Sequence, residues 1–286
     1  MAEQEVGHAE LLTNMLGPAA PIQCNYTYPF TTVREFVDFC QKLTRFGEAG
    51  VYGFLGHLNS RESATLLLQS ITTEARQQMI FRQFDGLFPM PEYFQTGIPQ
   101  SWQWTLLAPY ISSCPSNITR LAWQNFPALT VVNNPNPARL NATATGFNES
   151  ISSIDVNETC GEACGPDTTQ NRTIPLSYPG REVYLSWENP GKPVGPDQSY
   201  VTNTTAGPGA FVAWVSQLNL TYSPLTNVSG NTGMTIQPDG LTLGGNPAIN
   251  NTVFIAITDT DLFLTPFNLT MINPHVVAGP ALYQAG

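Results

Sequence analysis

Charge is what this 286-residue chain has least of. Asp, Glu, Lys and Arg together supply only 11% of it, roughly half the usual share. The 11 Lys and Arg form no cluster, and the net charge is −10. Such a surface repels phosphate backbones and anionic headgroups, so nucleic acid is excluded as a partner and an anionic membrane surface is disfavoured. No run reaches the ~18 apolar residues of a membrane span. The ALYQAG end has no apolar tail for a lipid anchor. The opening MAEQEVGHAELL is polar and lacks the apolar core of a secretory leader. With three histidines, no nucleophile–His–acid set, no G-x-S-x-G and no phosphate-binding glycine loop, a hydrolase is disfavoured, carboxylate-pair glycosidases apart.

What the chain does have is glycan acceptors. N-x-S/T occurs at Asn25, Asn117, Asn141, Asn148, Asn157, Asn171, Asn203, Asn219, Asn227, Asn250 and Asn268. Eleven such sites in turn-like sequence point to an extracellular or cell-wall glycoprotein, with sugars supplying the solubility that charge does not. The start of the chain conflicts with that compartment, so either an upstream segment is missing from this sequence or export is unconventional. An odd count of five cysteines leaves one thiol over in an oxidising compartment. Cys24 and Cys114 both lie in loops beside Pro and Asn, and are expected to pair. Cys160 and Cys164, in CGEAC, are expected to form a local bridge; zinc would need a second Cys/His pair at ligand spacing. Cys40, inside a helix on an apolar stripe, is expected to stay free and buried.

The first ~110 residues read as helices. Residues 2–16 carry a helical pattern that stops at Gly17-Pro18. Thr32-Val33-Arg34-Glu35 is a capping box opening a helix to about Leu58. Another runs from Asn59-Ser60-Arg61-Glu62 to Asp85-Gly86. FPMPEYFQTGIPQ is a Pro-rich turn region, and SWQWTLLAPYISSC holds one short helix broken at Pro109. Beyond about residue 125 come β-type runs: 181–187, 210–222, 233–238 and 252–272. Their alternation and turn density suggest an antiparallel sandwich. The expected class is therefore α+β: a helical bundle over 1–125, a glycosylated linker over 126–178 with five prolines and four acceptor sites, and a β-rich domain over 179–286.

Three acidic residues of the helical region sit where a core should be. Glu5 heads Glu5-Val6-Gly7-His8, an E-x-x-H that puts both side chains on one helix face. Glu48 has Thr44, Val51 and Leu55 at helical spacing, and Glu74 has Leu67, Ile71 and Phe81. A lone buried carboxylate is costly, so such groups pair or bind metal. Carboxylates plus His inside a bundle are the chemistry of a di-iron or di-manganese site. Arg45, Arg76 or Arg82 could satisfy Glu48 or Glu74 instead, and Glu5 and His8 could simply be solvated. Tyr52 reads as core and His57 as a surface or capping residue; His275 has no evident partner.

The segments CNYTYPFTTVREFVDFCQKLTRFGEAGVYGFL, LLLQSITTEARQQMIFRQFDGLFPMPEYFQTGIPQSWQWTLLAPYISSCP and DTDLFLTPFNLTMINPHVVAGPA resemble the fungal secreted ferritin-like proteins of the Rds type. These are stress-response and sexual-development proteins, related to desiccation-related proteins. The resemblance implies a four-helix core of which this chain holds the last three helices. It maps Glu5 and His8 onto the second-helix motif, Glu48 onto the third-helix carboxylate and Glu74 onto the fourth. Gln77 stands where the fourth helix should carry its His, and an amide is a poor ligand for iron. The first helix, with its Glu, is not in this sequence, and a bundle short of one helix exposes an apolar face. Glu5, His8, Glu48 and Glu74, with Gln77 or Gln78 beside them, are expected to converge as a weak or vestigial site for iron or manganese. Two other readings stay open: a di-metal oxidase or oxygenase, and a carbohydrate-binding or adhesion protein that uses the β-rich half on cell-wall polysaccharide.

Overall fold

The structure is a computed structural model that describes residues 1–84, 87–135, 177–241 and 251–285. Three long helices lead: α1 (Ala2–Leu16), α2 (Val33–Leu55) and α3 (Arg61–Phe84). The start of α2 follows from its sequence. Thr32 accepts from the Glu35 amide while the Glu35 carboxylate accepts from the Thr31 and Thr32 amides, closing a capping box. The Ser60 hydroxyl accepts from the Ser63 amide at the head of α3. A short helix, α4 (Gln100–Leu107), passes into a 3₁₀ turn containing Pro109. No helix of the described residues is long and apolar enough to cross a membrane.

Glycines on α2 decide what lies beside it. A Cβ on Gly53 would stand 2.0 Å from the Ile98 carbonyl oxygen, and one on Gly50 1.9 Å from the Gln103 side chain. The 97–103 segment therefore packs directly on the helix, and the Ile98 amide donates to the Ala49 carbonyl at 2.9 Å. α1 is held differently. It rests against α3, and none of its described residues is buried. Val6, Leu12, Met15 and Leu16 of α1 and Leu66, Leu68 and Met79 of α3 are exposed.

The β-rich part is two four-stranded antiparallel sheets. After a small ladder of β1 (Asn25–Tyr26) with β2 (Ile111–Ser113), the first sheet contains β3 (Leu129–Val131), β4 (Glu182–Trp187), β9 (Thr226–Ser229) and β10 (Thr232–Ile236), in the order β3-β4-β10-β9. The second contains β7 (Phe211–Ser216), β8 (Asn219–Pro224), β11 (Asn251–Thr258) and β12 (Val276–Ala285), in the order β12-β11-β7-β8. Two-residue strands β5 (Pro193–Val194) and β6 (Tyr200–Val201) pair between them in sequence. β3 lies inside the stretch read as linker. Leu129 and Val131 are buried in the sandwich core with Thr130 turned out, so period-2 burial rather than turn content governs those residues.

Every residue of β11 is buried. Val253, Ile255 and Ile257 face the other sheet, among Val183, Leu185 and Trp214. Phe254 and Ala256 face the helices, among Phe46, Ala49, Trp102 and Ile272. The chain thus has three layers, helices on sheet on sheet, and the middle sheet has no solvated face.

The loops also bear on the sequence reading. Cys24 and Cys114 form a disulfide that ties the segment before α2 to the one after α4, and Cys40 is free but only half-buried. Burial pushes the Cys40 thiol up to about 11, which makes it unreactive near neutrality. Cys160 and Cys164 lie outside the described residues, as do Asn141, Asn148, Asn157, Asn171 and Asn250. The six described acceptors, Asn25, Asn117, Asn203, Asn219, Asn227 and Asn268, are all exposed.

Candidate metal centre

α1 crosses α3 where Glu5 and His8 meet Glu74. One ligand atom from each of these three lies within 4.8 Å of the others. His8 Nδ1 is 3.5 Å from Glu5 Oε2 and 3.7 Å from Glu74 Oε1. These separations are too long for hydrogen bonds, and the buried Nδ1 has no hydrogen-bond partner. Such spacing would let one cation sit between the three donors. Glu74 also lies against α2, where a Cβ on Gly47 would come within 3.3 Å of its Oε2. Burial, then the Glu5 charge, pushes the Glu74 carboxyl up to about 7, partly offset by a Ser70 hydrogen bond.

Glu48 stands next along α2 and is fully buried, with neither carboxylate oxygen hydrogen-bonded. It is near enough to Glu74 for that charge to raise its pKa, but burial is the larger cause; the carboxyl rises to about 7 although Arg45 pulls it down. Glu48 is not one of the three whose ligand atoms converge. Its contact is Arg45, Nη1 to Oε2 at 3.8 Å. Gln77 is buried, and its amide donates to Gln4 at 3.1 Å rather than turning to the cluster. Gln78 is buried with its Nε2 unpartnered. Arg76 is exposed and bonds Thr73, away from Glu74.

Glu92 is a residue that the sequence reading missed. It lies in the Pro-rich segment after α3, yet its carboxylate bonds the Arg45 guanidinium, Nη2 to Oε1 at 2.7 Å, with both side chains buried. Arg45 further donates to Gln95 and, at 3.5 Å, to the Thr252 carbonyl of β11. Burial raises the Glu92 carboxyl, with Arg45 and Arg82 opposing. The available signal was an acidic residue amid apolar and proline neighbours, together with two arginines placed on helical stripes. Of the remaining residues, Tyr52 is half-buried and His57 is exposed. His275 does have a partner: Asp259 at 2.8 Å, whose other oxygen accepts from the Gly207 amide.

Residues 1–86 match the ferritin-like domain family. Over 288 aligned residues, covering all of this chain and 69% of the relative, the sequence is 51% identical to protein rds1 of the fission yeast Schizosaccharomyces pombe. The chain belongs to the fungal Rds-type ferritin-like family. Within that family's helical part, the residues present fit one cation. Two carboxylates and an imidazole are donors that iron(II) and manganese(II) accept, and Glu5, His8 and Glu74 offer them from one side. Gln77, which the resemblance sets at a second imidazole position, donates to Gln4 and is not among the three converging donors.

Proposed function

We propose that this is an extracellular or cell-wall glycoprotein of the fungal stress and development type, whose ferritin-like half is a scaffold carrying one weak site for iron or manganese. The observation that carries the metal part is the convergence of Glu5, His8 and Glu74 without hydrogen bonds among them. Weakness follows from the same geometry. Glu5 is 52% exposed, and Glu74 must lose a proton held up to about 7 before it can ligate. A bound cation there would act as a local positive charge that keeps both carboxylates ionised. The glycoprotein part rests on six exposed acceptor sites, a disulfide and the low charge of the surface.

Calorimetric titration of the full chain with manganese(II) at neutral pH is the direct test. One weak site is expected, abolished in Glu74→Ala and strengthened at higher pH. A second reading, a di-metal oxidase, is favoured by one observation: the two buried oxygens of Glu48, which accept no hydrogen bond. Two ions per chain that survive purification, both lost in Glu48→Ala, would replace the scaffold reading with that one.

A further inference from the structure

The two most exposed large apolar side chains of the described residues are Phe263 at 94% and Phe267 at 92%, on the loop between β11 and β12. Their exposure is built in. Leu262, Leu264, Leu269 and Ile272 of the same loop pack into the core between helices and sheet, which turns Phe263, Phe267 and the exposed Met271 outward. A loop anchored by its buried leucines and presenting two phenylalanines to water carries a cost, and exposed apolar surface of this kind marks interaction sites.

The occupant is indicated by what lies beside them. Asn268, directly after Phe267, opens the acceptor sequence Asn268-Leu269-Thr270. Its Oδ1 accepts from the Thr265 amide at 2.7 Å and the Thr265 hydroxyl at 3.0 Å. The side chain is exposed, and among the described residues its Nδ2 makes no hydrogen bond. The carboxamide is thus pinned by its oxygen, with the nitrogen that would bear a sugar left free. The juxtaposition recurs. Exposed Tyr26 follows Asn25, Val201 precedes Asn203 by two residues, Leu218 precedes Asn219 and Val228 follows Asn227. Five of the six described acceptors therefore have a large exposed apolar side chain within two residues; Asn117 is the exception.

We propose that an N-glycan on Asn268 folds back over Phe263 and Phe267, its apolar sugar faces stacking on the rings, so that on this chain glycans cover apolar surface as well as adding polar surface. This rests on the glycoprotein reading above. An anionic lipid surface is disfavoured as the occupant, because a chain with 11 Lys and Arg and a net charge of −10 has little to draw one to it.

The test uses the full chain made through a yeast secretory route. Glycopeptide mass spectrometry reads occupancy at Asn268, and binding of an apolar dye reads the exposed rings. Asn268 should be occupied. Asn268→Gln should raise dye binding several-fold and lower solubility, and adding Phe263→Ser and Phe267→Ser to that variant should return both to the wild-type level. If Asn268→Gln fails to accumulate, enzymatic deglycosylation of the folded wild type gives the same dye readout. Occupied Asn268 with dye binding unchanged on glycan loss overturns the covering role and leaves the glycoprotein reading intact. An empty Asn268 beside occupied neighbours does the same. No glycan at any site overturns both.

Discussion

The middle sheet has two buried faces, and they are held by different means. Towards the other sheet, polar groups are chained. Trp214 Nε1 donates to Ser223 at 2.7 Å, Ser223 and Thr235 hydroxyls meet at 2.7 Å, and Thr235 donates to the Pro224 carbonyl at 2.9 Å. Tyr283 donates to Gln237 at 2.6 Å and accepts from Arg181 at 3.1 Å. Towards the helices, a fully buried Glu48 has both oxygens unbonded, and Arg45 is shared between Glu48 and Glu92. Satisfied polar networks specify one arrangement, whereas unsatisfied buried carboxylates store a cost that a proton or cation can relieve. On the proposed reading, the sandwich holds shape and the helical layer is the part that would respond to a ligand.

The sharpest way to break that contrast is to compare one deletion on each side. Trp214 is fully buried and meets Tyr283 edge to face at 5.1 Å. Trp214→Ala should cost about 4 kcal/mol by denaturant melting, from lost burial and the cavity left behind. Arg45→Met should cost about 3 kcal/mol, because it strands Glu92 as a buried carboxylate without its cation. Adding Glu92→Leu should recover most of that loss. If the double variant is as unstable as Arg45→Met, the pair with Glu92 is not what Arg45 contributes, and its contacts with Glu48, Gln95 and Thr252 are.

Much of this was legible in sequence, unevenly. The Thr32 capping box, the Gly17-Pro18 stop and the pairing of Cys24 with Cys114 are local chemistry, and the structure has them. The run 210–222 is a hairpin, β7 and β8 turning at Gln217 with φ 53°, a turn its non-glycine residues concealed. β12 was not singled out at all. A Cβ on Gly279 would be 3.0 Å from Ala256, so this glycine serves close strand packing. Within the site, helical periodicity brought Glu5, His8, Glu48 and Glu74 to attention. The same periodicity offered Arg45 as a partner for Glu48, and the two are in contact; it could not say that Arg45 would be shared with Glu92 and Gln95, which come from a segment with no periodicity.

The response of the helical layer should show in pH. Glu48 and Glu74 titrate near 7 in the folded chain against a model-compound value of 4.5. The folded state therefore binds more protons than the unfolded one across that interval. Stability from these groups should be full below about 4.5, fall as pH rises through about 7, and level off above it. Thermal melts with a chelator present should show the fall, and Glu48→Gln should flatten it. Manganese should oppose the fall most at the alkaline end, where the ligands are already deprotonated. A melting temperature that rises from pH 5 to 7 without metal would mean that these carboxylates are stabilised as anions, and the contrast between the two faces would collapse.

The smallest expected effect tests whether the two layers are separable at all. Thr32 caps α2 and is exposed, so its contribution is local: the Glu35 amide it satisfies at the head of the helix. Thr32→Ala should cost about 1 kcal/mol. What matters is how the loss is distributed. Phe46 and Ala49 of the same helix share a core with Phe254 and Ala256 of β11, so helix and sheet should melt together. Far-ultraviolet dichroism, dominated by the helices, and tryptophan fluorescence, to which buried Trp102 and Trp214 contribute from either side of the middle sheet, should shift by the same amount. If the helical signal moves alone, the interface is no barrier to independent unfolding, and the buried charges at Arg45, Glu48 and Glu92 weaken a contact that the apolar residues around them were expected to hold.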